Sequence, residues 1–340
     1  MPVHQSGDQV MFIAGIYIDG NIGDLTIVNQ SPDQVRIPNS HVSNTEIVVQ
    51  LCNAPFKQII TDITNILSSY ISKTYTYMDQ GKTGCDLDTR VDIIDKIVNW
   101  SMDTHESCLR LSWLTGVPGS GQSSITTSIT KILRDRKASI ILLQLFISCI
   151  HKSTTNPNSI FPTILLQLAV QDITVVQYIH KQLNNKLTLT DCISNEKAMR
   201  LFVKPIRVLT ELYPQKLVAI IIDALDESGP PSTGISTSKM ITKAASSLPP
   251  NLKILLSSQS ETAIQKMFWH RVDMGFVAHI DLETSNTTSI QNISKFFANQ
   301  IAFIVNNCEI DKDWPVAEWL QALCNKGTVL DQFPMHTPCP

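Results

Sequence analysis

The spacing of apolar residues changes along the chain, and the changes mark out its elements. Phe56, Ile59, Ile60, Ile63, Ile66, Leu67, Tyr70 and Ile71 recur at intervals of three and four, the stripe of an amphipathic helix. Its polar face (Lys57, Asp62, Asn65, Ser68, Ser69) is not basic, so the stripe is expected to pack on a core rather than lie on a membrane surface. Asp79 to Asp88 reads as a polar linker, after which Asp88 or Thr89 is placed to cap a second helix, Arg90–Trp100. Short apolar runs then alternate with helical segments. Strands are expected at Leu111–Thr115, Ser139–Ile147, Leu217–Asp223, Lys253–Ser258 and Val277–Leu282. Helices are expected at Ser123–Arg134, Phe161–Val170, Val176–Leu183, Glu196–Leu212, Ser236–Ser247, Glu261–Phe268 and Ser289–Asn306. Strands separated by helices predict an α/β fold, a parallel sheet with helices on both faces.

Composition narrows the function classes. The 340 residues carry 27 Lys+Arg against 30 Asp+Glu, a formal charge of −3. This balance argues against a broad electrostatic footprint for nucleic acid or anionic lipid. No apolar run approaches the ~18 residues of a membrane span, and the N-terminus lacks the basic-then-apolar order of a signal peptide. The eight cysteines are scattered without metal or redox spacing, so reduced thiols and a cytoplasmic location are expected. Residues 1–44 form a Gly/Asn-rich arm in which Ile16–Ile18 and Leu25–Val28 flank the turn-type cluster Asp19-Gly20-Asn21, either a small hairpin or a mobile arm. The expected organisation is this arm, a helical segment and linker over 45–84, a main domain over 85–325, and an irregular tail over 326–340.

The candidate chemistry lies in the main domain. Gly116-Val117-Pro118-Gly119-Ser120-Gly121-Gln122-Ser123 follows a predicted strand and opens a predicted helix, as does the phosphate-loop pattern Gly-x4-Gly-Lys-[Ser/Thr]. Gly116, Gly121 and Ser123 match, but Gln122 stands where the lysine belongs. Gly116, Gly119 and Gly121 allow inward-pointing N–H groups, an anion nest completed by Ser120, Ser124 and the positive end of the helix. Ser123 can offer a hydroxyl to Mg²⁺. A charge-assisted hydrogen bond contributes about 1.5–3 kcal/mol, so loss of the lysine weakens nucleotide binding by about one to two decades. A Gly-rich turn that binds no nucleotide is the alternative.

A second feature points the same way. Leu217 to Asp223 is a buried-type apolar run that ends in acid and is followed by Asp226 and Glu227. In a phosphate-loop fold the adjacent strand ends in the carboxylate that orients Mg²⁺ or its water, a role Asp223 fits. Glu227 is the first candidate for polarising an attacking water and Asp226 the second. A solvated acidic turn after a core strand is the alternative.

Several stretches together resemble fungal NACHT-type ATPases of the STAND class, in the nephrocystin 3-like N-terminal domain group. They are Cys85-Asp86-Leu87-Asp88-Thr89-Arg90, Trp113 to Ser123, Phe161 to Ala169, Pro205, Asp223 to Glu227, and Leu248 to Glu261. The resemblance covers about residues 85–325. It implies a P-loop NTPase-like fold, ATP or ADP with Mg²⁺ as ligands, and an oligomerising signalling protein switched by nucleotide, with protein partners or self-association. It also implies an arginine that senses the γ-phosphate after the strand at 253–258, where this sequence has Gln259. Asp88 replaces a glycine usual before Thr-Arg. Relatives continue past the Trp314-Pro315 region into a winged-helix segment and a repeat array.

With both phosphate-facing cations replaced by Gln, rapid ATP hydrolysis is not expected, since such arginines are worth about 10³–10⁵ in rate. Arg90, Lys131 and Arg271 are candidates for a relocated cation. Three readings follow: a degenerate NACHT-like module that binds nucleotide weakly and acts through protein contacts, a slow Mg²⁺-dependent ATPase switch, or a truncated product without function.

Overall fold

The computed structural model describes residues 11–13, 16–18, 54–136, 139–184, 199–229, 241, 249–260, 262–282 and 287–307. The chain divides into two compact units, residues 1–71 with 161–209, and residues 72–160 with 210–340.

In the first unit, β1 (Met11–Ile13) pairs antiparallel with β2 (Ile16–Ile18). The ribbon expected around Asp19-Gly20-Asn21 therefore has Met11–Ile13 as the partner of Ile16–Ile18, and Leu25–Val28 lies outside the described residues. Helix α1 (Ala54–Leu67) buries Phe56, Ile60, Ile63 and Leu67. Those positions follow the three-and-four spacing, so the stripe is a packing face, and its neighbour is α5 (Ile173–Asn184). Between α4 (Ile160–Ala169) and α5 the chain turns within a few residues. The helix expected over Glu196–Leu212 is a π-turn at Met199–Val203 followed by α6 (Lys204–Leu212). Pro205 supplies the reason, because it has no N–H to continue the i→i−4 ladder upstream.

The second unit holds a five-stranded sheet in the order β4-β5-β6-β3-β7. The strands are β3 (Leu111–Gly116), β4 (Ile140–Phe146), β5 (Leu217–Asp223), β6 (Leu252–Gln259) and β7 (Val277–Leu282). All four pairings are parallel, and each strand lies within two residues of its expected bounds. All seven residues of β5 are buried, as a strand covered on both faces requires. Helices α2 (Val91–Met102) and α3 (Gln122–Asp135) cover one face. Ile94, Ile97, Ile125, Ile129 and Leu133 meet Leu217, Ala219 and Ile221 there in one cluster. Helices α7 (Thr262–Asp273) and α8 (Thr287–Asn307) follow β6 and β7. Of the helix expected over Ser236–Ser247, only Ile241 is described.

The sheet order corrects one expectation. The acidic strand β5 is not the neighbour of the loop strand β3, since β6 runs between them. The cap of α2 is also different from that expected. Arg90 occupies the cap position with φ 57°, no side chain of its own segment caps the helix, and Thr89 Oγ1 donates to Asp86 O at 2.7 Å. The Arg90 N–H instead reaches Asn292 Oδ1 of α8 at 2.9 Å.

On the other side of β3 an aromatic cluster packs around His279. Trp113 stacks on Phe268 at 4.7 Å, and His279 packs against both Trp113 and Trp269. His279 Nε2 lies 2.8 Å from Thr115 Oγ1, which donates to Asp281 Oδ1 at 2.9 Å. Burial pushes the His279 pKa down, and the Asp281 charge opposes this only in part. The unfolded chain therefore takes up a proton near the ordinary histidine value of about 6.5 more readily than the folded one. Stability is expected to fall as pH drops through that value, and His279→Phe is expected to flatten the slope. Urea midpoints at about pH 7.5 and about pH 5.5 measure it.

Candidate phosphate-loop site

The site sits at the carboxyl ends of the parallel strands, where β3 runs into α3. Gly119 has φ 82° and Gly121 φ 91°, and Gly121 is the N-cap of α3. At both, a side chain would be strained although the space beyond is open. Gly116 is constrained differently: a Cβ there would collide with Ser120 Oγ and meet Leu282 Cβ at 3.0 Å. Val117, Pro118 and Gly119 are exposed, Ser120 is buried, and Gln122, Ser123 and Ser124 are partly buried on the first turn of α3. The buried Ser120 Oγ has no hydrogen-bond partner. A buried, unpaired hydroxyl beside an open glycine turn at a helix N-terminus suits a ligand rich in acceptor oxygens. The residues thus fit the phosphates of a nucleotide.

Gln122 does not point at that cradle. Its Nε2 donates to Ser258 O at 2.6 Å and lies 3.5 Å from Leu114 O. The amide fastens the loop to β6 and β3 through two carbonyl oxygens, so it supplies no donor to an anion.

Asp223 continues the face on which Leu217, Ala219 and Ile221 meet α3, by the period of two along a strand. It is fully buried. Its Oδ1 accepts from Thr126 Oγ1 of α3 at 2.7 Å and from Ser257 Oγ of β6 at 2.6 Å. Its Oδ2 accepts from Lys82 Nζ at 2.8 Å. Ser257 Oγ also accepts from the Ala224 N–H at 2.9 Å, pinning the left-handed residue that follows the strand. These bonds join Asp223 to the loop helix across the intervening strand.

Lys82 was not singled out by sequence. A tight turn places it. Thr76 N donates to Asp79 Oδ2 and Asp79 N to Thr76 Oγ1, and Lys82 N donates to Tyr77 O at 2.9 Å. The turn is held to the end of β4 by Phe146 N donating to Tyr75 O, while Gln80 Nε2 donates to Phe146 O. Phe146 is the register partner of Asp223. The only sequence signal was a lone lysine in a polar stretch, which carries no direction.

The other candidates fall into place around this pair. Arg90 Nη2 donates to Ser120 O at 3.0 Å, so a guanidinium does touch the loop. The cradle is therefore not stripped of positive charge, as the two Gln residues alone imply: cations come from the segment before α2. Lys131 lies over the Tyr77 ring and Arg271 over the Phe276 ring. Asp226 Oδ1 accepts from the Gln259 N–H at 3.0 Å, and Glu227 Oε2 from the Cys149 N–H at 2.6 Å. Both acids are thus fixed to backbone amides beside the strand ends.

The same geometry does not fit Mg²⁺. A divalent ion needs free carboxylate oxygen in a near-octahedral shell. Asp223 Oδ1 accepts from two hydroxyls and Oδ2 from an ammonium, so a divalent ion at this buried carboxylate would have to displace the ammonium or sit beside its charge. Among the described residues no group of three His, Cys, Asp or Glu side chains could hold a metal. No described helix is long and apolar enough to cross a membrane.

The structure is similar to a chain in a structure of C. elegans PCH-2, at 15% sequence identity and a TM-score of 0.34, covering 80% of this chain and 63% of that one. The chain thus spans less than two thirds of that protein's length. No curated protein matches. Residues 91–259, the stretch from α2 through the phosphate loop and the acidic strand to Gln259, match the family described as Nephrocystin 3, N-terminal.

Proposed function

We propose that this chain is a degenerate NACHT-like module of the STAND class that binds nucleotide weakly, turns it over slowly or not at all, and acts in cytoplasmic signalling through protein contacts or self-association. The observation that carries the reading is the loop itself: glycine turns at 119 and 121 and the unpaired Ser120 hydroxyl remain, while Gln122 spends its amide on Ser258 O. Gly116, Gly119, Ser120, Gly121, Ser123 and Ser124 would hold the phosphates of ATP or ADP, with Gln259 at the rim. The bound nucleotide supplies a phosphoanhydride; the chain supplies a positive helix end, loop N–H groups and the Arg90 charge on Ser120 O. Glu227 and Asp226 each give an oxygen to a backbone amide, which favours positioning over activation of water. The slow-ATPase reading would need the Asp223 carboxylate released from Lys82, Thr126 and Ser257, whose hydrogen bonds it accepts here.

Restoring Gln122→Lys with Gln259→Arg tests the reading. Each added charge is worth about 1.5–3 kcal/mol when it reaches a phosphate, so the affinity for a fluorescent ATP analogue is expected to rise by about tenfold or more. Titration of both forms measures it. If the repaired chain binds no better than the original, the loop is not a phosphate cradle.

A further inference from the structure

We propose that Lys82 stands in for a divalent cation at this site, so that the nucleotide it takes is a metal-free nucleoside polyphosphate. The inference rests on the nucleotide reading above and deepens it. Three observations carry it. Lys82 Nζ is held on three sides, by Asp223 Oδ2 at 2.8 Å, by Ile147 O at 3.3 Å, and over the Phe146 ring at 5.3 Å. The other oxygen of Asp223 is filled by the Thr126 and Ser257 hydroxyls, and the residue is fully buried. The position that carries the loop's own lysine in the phosphate-loop pattern holds Gln122, turned to carbonyl oxygens.

Asp223 and Lys82 together are neutral. A divalent ion at Asp223 would place two further positive charges beside a buried ammonium, where the low dielectric magnifies repulsion. To bind, it would have to expel Lys82 from three contacts. An ammonium has three N–H donors; Asp223 and Ile147 O take two, and one remains for an acceptor oxygen. Lys82 thus supplies from the linker the point charge that the loop lacks, fixed in place by the carboxylate that serves a metal in other phosphate-loop proteins.

The test uses the full chain, a fluorescent ATP analogue, and Mn²⁺ alone as the metal probe, followed by the spin-resonance signal of free Mn²⁺. The wild-type chain is expected to bind the analogue equally, within about twofold, in chelator and in Mg²⁺, and to retain no Mn²⁺. Lys82→Met is expected to lose about tenfold or more in analogue affinity in chelator, and to gain Mn²⁺ retention that Lys82→Met/Asp223→Asn abolishes. Analogue affinity in the wild-type chain that rises about tenfold on adding Mg²⁺ overturns the inference and leaves the nucleotide reading standing. Absence of analogue binding in both conditions overturns the nucleotide reading and, with it, the assignment of a metal-free nucleotide. The Mn²⁺ measurement then judges the remaining claim separately: retention by the wild-type chain that Asp223→Asn removes refutes Lys82 as the metal's substitute. Because the decisive comparisons are on the wild-type chain, a variant that fails to fold does not rescue the proposal.

Discussion

Lys82→Met is expected to lower the stability of the sheet unit by about 3–5 kcal/mol, the cost of leaving one half of a buried ion pair behind. The side chain of Lys82 is 19% exposed and that of Asp223 0%, so solvent cannot replace the missing ammonium. The two hydroxyls on Oδ1 remain, but they bring no counter-charge. Removing both charges in Lys82→Met/Asp223→Leu is expected to recover most of the loss, because an apolar pair of similar volume is often neutral or better. Urea unfolding of the three chains at constant m measures this. A loss below about 1 kcal/mol for the single variant, the value for exposed pairs, would show that the bridge is a surface contact.

The second large effect has the opposite sign. Lys253, on β6, is 1% exposed. Its Nζ donates to Cys108 Sγ at 3.0 Å and to Leu109 O at 3.3 Å, and lies 5.6 Å over the Trp100 ring. Among the described residues no carboxylate accepts from it. An ammonium buried with such partners keeps little of its hydration energy. It stands near the start of β6, at the opposite end of that strand from Ser257, Ser258 and Gln259. Lys253→Met keeps the stem and removes the charge, and is expected to raise stability by about 1–4 kcal/mol on the scale of other buried ionic groups. The melting temperature should rise, with nucleotide binding unchanged. A lower melting temperature would mean that the thiol, carbonyl and ring contacts more than repay the burial.

The two lysines show where sequence reading reached and where it stopped. The strands were legible because a strand buried on both faces must be a run of apolar residues, as Leu217–Ile222 is. Helix α3 was legible because Ile125, Ile129 and Leu133 recur every fourth residue. The loop glycines were legible because a strand-to-helix turn that cradles an anion needs positive φ at fixed positions. Partners brought in from far along the chain were not. The Arg90 cap comes from Asn292, 202 residues away. Lys82 reaches Asp223 across 141 residues. Gln122 could be seen to lack charge, but not to turn its amide 136 residues onward to Ser258 O. The order of strands was equally hidden, since β6 enters between β3 and β5 by a pairing that no local pattern encodes. Local periodicity gives elements; it gives neither their neighbours nor the side chains that neighbours lend to a site.

Amide hydrogen exchange of the full chain, with and without ATP in a chelating buffer, tests the cradle most directly. Binding at the loop predicts slower exchange confined to residues 117–124, the turn and the first turn of α3. Unchanged exchange there at saturating ATP, or protection only elsewhere in the chain, would contradict it.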